Sequence, residues 1–130
     1  MTRRLKTIKA LNEWEKRQFE YGDSDCCQFV AHVIKHLSGK DYSKAFEYES
    51  EQEANMLICR FGSLKELITN ILGEPSDNLR DGDPVISKFP IIGETMGIKL
   101  GEFVICLTEK GMAKLHNRHQ ICGWSICLKR

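Results

Sequence analysis

Tyr21–Leu37 reads YGDSDCCQFVAHVIKHL, a turn of glycine and aspartates that runs into two adjacent cysteines and then a helix-forming stretch. Cys26, Phe29, Val30, Val33, Ile34 and Leu37 recur at the three- and four-residue spacing of a single apolar stripe, which predicts an amphipathic helix. Ser24 or Asp25 supplies its N-cap, and Ser38 with Gly39 ends it, glycine being suited to the left-handed C-terminal position. Cys26 therefore falls in the first turn, among unpaired backbone N–H groups and at the positive end of the helix dipole. That place favours thiolate over thiol and offers donors to a developing oxyanion. A cysteine nucleophile also needs a base, normally a histidine distant in sequence, and a third polar group to orient it.

Before this stretch, Leu5, Ile8, Leu11 and Trp14 are separated by charges and predict a first helix over about residues 4 to 18. After it come a polar connection with a short helix over residues 40 to 50, a helix from Glu51 to Arg60 opened by a Ser50–Glu53 capping box, and a helix over Leu64 to Leu72. The last of these is capped by Ser63 and stopped by Gly73 and Pro75. From Gly82 onward the pattern changes to short β-rich runs at Pro84 to Ser87, Met96 to Leu100, Glu102 to Thr108, Gly111 to Leu115 and Gly123 to Leu128. Helices first and a meandering antiparallel sheet second predict an α+β fold.

The 130 residues fit one domain, 1–130, with a core that needs no staples. Apolar residues at 42% and charged residues at 28% exclude the disordered and membrane classes, and a net charge of +1 argues against nucleic acid as a partner. Arg3, Arg4, Lys6 and Lys9 lack interleaved aromatic residues and read as a solvated helix face. No apolar run is long enough to cross a bilayer, and the opening residues lack a signal-peptide core, so cytoplasmic synthesis is expected. The six cysteines then meet a reducing compartment and read mostly as small buried hydrophobes. Cys106, His116, His119, Cys122 and Cys127 are donors for zinc, but no paired CxxC knuckle is present and Cys106 reads as strand interior. No metal and no cofactor are expected.

Phe19-Glu20-Tyr21-Gly22, Asp25-Cys26-Cys27-Gln28-Phe29-Val30, Asp81-Gly82-Asp83-Pro84-Val85-Ile86 and Met96-Gly97-Ile98 together resemble the NlpC/P60 superfamily of papain-like cysteine peptidases. A phage- and prophage-encoded branch of that superfamily is more similar still, through Gly39-Lys40-Asp41, Phe61 to Leu72, Lys110-Gly111-Met112 and Gly123-Trp124-Ser125-Ile126. The resemblance implies a papain-like fold, with the Cys26 helix packed on a small C-terminal antiparallel sheet, and an ancestral hydrolysis of peptide or amide bonds in peptidoglycan. It maps Cys26 onto the nucleophile and Asp25 onto its motif neighbour. The family's base histidine maps onto Thr95, or onto Met96 if the register slips by one, and neither accepts a proton from a thiol at neutral pH. Where the third triad member would lie stand Cys106, Leu107 and Thr108.

His116 and His119, in the loop before the last strand, are the candidates for a substitute base. His32 and His36 lie about 9 and 15 Å along the helix from Cys26 and read as a solvated face, or as a metal pair needing a third ligand. Asp83 reads as an Asx-turn residue, and Trp14 and Trp124 as packing. The reading that follows from the resemblance is a phage tail or prophage assembly component with a degenerate hydrolase site, virion-associated, with tail proteins or peptidoglycan peptide as partner. An active thiol hydrolase working through Cys26 and a thiol-dependent acyltransferase or effector are the alternatives.

Overall fold

The computed structural model describes residues 2–21, 25–90 and 93–129. Four helices precede five strands: α1 (Arg3–Asn12), α2 (Cys26–Ser38), α3 (Glu51–Phe61), α4 (Leu64–Leu72), β1 (Pro84–Phe89), β2 (Gly93–Leu100), β3 (Phe103–Thr108), β4 (Gly111–His116) and β5 (Gln120–Gly123). A 3₁₀ turn at Ser43–Phe46 links α2 to α3, and a second at Asn117–His119 leads into β5. The chain is thus α+β, helices first and an antiparallel sheet second, as the periodicity predicts. Strands β1 to β4 form a meander, but β5 returns to the far edge of β1, giving the order β4-β3-β2-β1-β5.

Helix α2 forms as its sequence dictates. The Asp25 carboxylate accepts from the Gln28 N–H at 2.8 Å, and Gly39 closes the other end at φ 81°. Its buried stripe of Phe29, Val30, Val33, Ile34 and Leu37 lies across one face of the sheet, against Ile86, Met96, Ile98, Ile105 and Leu107. Val85, Val104 and Cys106 face the opposite side with Leu79 and Leu115. Trp14 and Trp124 are buried in the α2 layer, and Trp124 Nε1 donates to Gly73 O at 2.9 Å. Both tryptophans are packing residues.

Three predicted features differ from what the sequence pattern suggests. Helix α1 ends at Asn12 rather than near residue 18, because Trp14 N–H and Arg17 N–H bond three residues back, to Leu11 O and Trp14 O. Those tighter turns bring Trp14 against Phe29 and His32. The last strand is Gln120–Gly123 and not Gly123 to Leu128. The following segment leaves the sheet because its N–H groups go elsewhere: Trp124 to Pro84 O, Ile126 to the Asp83 carboxylate and Lys129 to Leu37 O. Finally, Arg3 is not on a solvated face. It is mostly buried, with its guanidinium on Asp83 Oδ1 at 2.5 Å, while Arg4 stays exposed near Asp81.

Asp83 does more than shape a turn. Its fully buried carboxylate accepts from Arg3, from Arg80 N–H at 2.7 Å and from Ile126 N–H at 3.0 Å, tying α1, the approach to β1 and the C-terminal segment together.

Burial holds the Cys106 thiol neutral, pushing it from an ordinary 9.0 up to about 12. A raised acid contributes stability that is complete below its unfolded value and is lost as pH climbs through the folded one. Unfolding free energy is therefore expected to fall between pH 9 and 12, and less steeply in Cys106→Ala, which urea titrations across that range would measure.

Candidate functional site

The β2–β3 ladder pairs Leu100 with Phe103, Lys99 with Val104 and Ile98 with Ile105. Continued in the same register it would oppose Met96 to Leu107, Thr95 to Thr108 and Glu94 to Glu109. It stops instead, and the two strands part. Into the gap comes the N-terminus of α2. Thr95, Thr108, Glu94, Glu109 and Leu107 line a cleft of about 540 Å³ together with Asp25, Cys26 and Cys27. Its remaining walls come from Phe19 and Tyr21 before α2, Tyr48 after it, and Glu51, Ala54 and Ile58 on α3.

The parting of the strands has a chemical consequence. Along β2 the ladder bonds alternate sides, and Lys99 N–H bonds across to Asp83 O at 3.0 Å. Three residues earlier, Met96 therefore presents its N–H toward β3, where the ladder no longer takes it. That N–H donates to the Cys26 sulfur. The Cys27 thiol is a stronger donor to the same sulfur, and the Cys27 backbone N–H adds to it. These donors lower the Cys26 thiol below its ordinary value although burial and the Asp25 charge oppose them. Cys27 shifts the opposite way, held well above the ordinary range because its proton is engaged by Cys26 and because it is buried. The proton is thus held more tightly at Cys27 than at Cys26.

Asp25 is buried and caps α2, and the Tyr48 hydroxyl hydrogen-bonds its carboxylate. Burial, then the charges around it, raises the Tyr48 phenol, which stays neutral. The turn assigned to Gly22, Asp23 and Ser24 lies outside the described residues.

Cys26, Asp25 and Thr95 meet in one cleft. The histidines are elsewhere. His116 sits across from Phe103, at the end of the β3–β4 hairpin remote from the Thr108–Gly111 turn, and accepts from Arg118 N–H. His119 packs on Phe89 beside β5. His32 and His36 are partly exposed on α2, His32 bonded to Glu13 at 2.7 Å and His36 4.0 Å from the same carboxylate. Among the described residues no histidine lines the cleft, and no three His, Cys, Asp or Glu side chains gather as a metal site. Cys106, on the far face of β3, and Cys122, packed with the α2-side core, do not approach each other through the sheet.

Sequence reasoning missed Cys27, Tyr48, Glu51, Glu94 and Glu109 as parts of the site. One signal was available: Glu94-Thr95 and Thr108-Glu109 are mirrored about the Gly101 turn, at positions that an antiparallel pairing brings opposite.

No helix among the described residues is long and apolar enough to cross a membrane. No curated protein matches the sequence. Residues 2–126, nearly the whole chain and all of the elements that build the cleft, match DUF6950, a domain of unknown function, and the chain belongs to that family.

Proposed function

We propose that the chain is an NlpC/P60-like domain with a papain-like arrangement, of phage or prophage origin, serving tail assembly as a binding component. Its hydrolase site keeps the nucleophile and has lost the base. The observation that carries this reading is a lowered Cys26 thiol in a cleft that Thr95 and Thr108 line and that no histidine among the described residues enters. Support also comes from the α2 N-terminus docked at the splayed end of an antiparallel sheet.

The chemistry left to such a site is specific. A cysteine lowered in this way depends less on a base to attack a carbonyl. An amine leaving group, however, must be protonated, and hydrolysis of the resulting thioester needs water activated by a base. With no imidazole on its described lining, the cleft is suited to accept an acyl group from a good leaving group and not to turn over an amide.

Two measurements test this. Iodoacetamide near neutral pH is expected to alkylate Cys26 at least tenfold faster than exposed Cys59 and Cys127, since an ordinary thiol is only a few per cent thiolate there. With p-nitrophenyl acetate, Cys26 should attack the carbonyl and expel p-nitrophenolate, giving one equivalent of product and a stable thioester. Peptidoglycan fragments should bind without being cut. Equal alkylation of all accessible cysteines would remove the nucleophile, and steady cleavage lost in Cys26→Ala would favour an active hydrolase instead.

A further inference from the structure

One end of the cleft has a composition that thiol chemistry does not require. Phe19 and Tyr21 meet edge to face, centroids 4.9 Å apart at 87°, and Tyr21 and Tyr48 follow at 6.4 Å and 59°. The three rings form a continuous aromatic wall next to Cys26. Carboxylates rim it. Glu109 accepts from the Tyr21 hydroxyl, and the charges of Glu51 and Glu109 both act on that phenol, which burial and these neighbours push up to about 12. Glu94 adds a third exposed carboxylate to the mouth, and Lys110 is the one cation among the described lining residues.

None of Glu51, Glu94 and Glu109 forms an ion pair with a described Lys, Arg or His. The excess extends past Tyr48, whose other side borders a hollow lined by Glu47, Glu49 and Glu53. A chain whose formal net charge is only +1 has concentrated negative charge around one aromatic-walled opening. Aromatic faces and uncompensated carboxylates attract the same kind of group: a cation with an apolar periphery, for which ring quadrupole and charge act in the same direction.

We propose that this end of the cleft binds an alkylammonium group, held against the faces of Tyr21 and Tyr48 and balanced by Glu51 and Glu109, so that a carbonyl on the same molecule lies at Cys26. The proposal rests on the reading of Cys26 as the cleft's nucleophile and names the class of molecule presented to it. A hard, strongly hydrated metal cation would gain little from the rings, and a carboxylate or phosphate would be repelled at the rim. Primary amines and quaternary ammonium groups share the required chemistry and differ in hydrogen bonding: a primary amine donates to Glu51 or Glu109, whereas a quaternary one relies on the rings.

Thiosulfonates of different charge read this directly. The Cys26 thiolate attacks their sulfenyl sulfur, forming a mixed disulfide and expelling methanesulfinate, so one reaction serves cationic, neutral and anionic reagents. With the 130-residue chain, trimethylammonioethyl methanethiosulfonate is expected to label Cys26 about tenfold faster than sulfonatoethyl methanethiosulfonate, each rate divided by that at exposed Cys59. The double variant Glu51→Gln with Glu109→Gln should lose most of that preference. An equal or reversed ratio, with Cys26 still reactive, overturns the alkylammonium site and leaves the nucleophile standing.

If Cys26 reacts with no reagent, the nucleophile reading fails by itself, and ligand binding decides the rest. Tetramethylammonium chloride, hexylammonium chloride and sodium hexanoate would each be titrated into Cys26→Ser while the Tyr21 and Tyr48 ring resonances are followed. Saturable shifts with either ammonium ion and none with hexanoate uphold the site, and the stronger of the two identifies the group. No shift with either ammonium at tens of millimolar sinks it.

Discussion

Asp83→Ala is expected to lower the unfolding free energy by about 3–5 kcal/mol, the range for breaking a buried charge pair from one side. The carboxylate is inaccessible to solvent, and three donors converge on it: the Arg3 guanidinium, Arg80 N–H and Ile126 N–H. Removing it leaves a largely buried cation whose Nη1 already has no hydrogen-bond partner, together with two backbone donors in a closed environment. The damage is not local to a turn. Arg3 belongs to α1, and Ile126 to the segment that runs back over the α2 layer, so a single substitution loosens both ends of the described chain from the sheet. In thermal unfolding the loss would appear as a drop of roughly 10–20 °C.

Arg3→Ala should cost less than Asp83→Ala, because it removes the buried cation while the Asp83 carboxylate keeps two backbone donors. Asp83→Asn should fall between them, since the amide retains an acceptor oxygen but not the charge. A loss under about 1 kcal/mol for Asp83→Ala in urea unfolding would instead mean an ion pair of the kind found at open surfaces.

Asp83 also marks the limit of what local sequence rules reveal. Read in its Gly-Asp context it is a turn residue, and its bond to Arg80 N–H is indeed local. The partners that make it costly to replace lie 80 residues upstream and 43 downstream, and no pattern near Asp83 announces them.

Helix α2 shows the opposite case. Its stripe, its Asp25 cap and its Gly39 terminus are all written within a few residues of one another, so its start, its end and its buried face follow from the sequence. The site divides along the same line. Cys26 in a helix's first turn is a local fact. That a Met96 N–H is left over for its sulfur depends on where a ladder two strands away stops pairing, and that Tyr48 closes on Asp25 depends on the return path of a polar connection. The α1 boundary and the last strand depart from the sequence pattern for a related reason. Both segments have the right composition for a regular element, but their backbone donors find tertiary or tighter-turn partners instead.

Thr95→His is expected to convert a site that accepts an acyl group once into one that turns over. Thr95 lines the cleft with Cys26, beside the Met96 N–H that reaches the sulfur, and it is nearly fully buried, so an imidazole placed there enters the cleft at the cost of filling part of it. In the wild-type chain Cys26 can attack, but no imidazole on the cleft's described lining activates water against the thioester. An imidazole with a pKa near neutrality supplies that function and can protonate an amine leaving group, contributions that typically amount to 10²–10⁴-fold. Following the single-equivalent burst with p-nitrophenyl acetate, Thr95→His should therefore show a steady-state rate at least about a hundredfold above wild type. That rate should rise with pH as the imidazole loses its proton and vanish in the double variant with Cys26→Ala. Thr95→Gln, polar and of similar bulk but unable to accept the proton, should keep the burst and gain no turnover. A Thr95→His variant that folds, keeps the burst and stays at a single turnover would show that Thr95 is not where a base for Cys26 belongs, and with it the proposed decay of a papain-like site would fall.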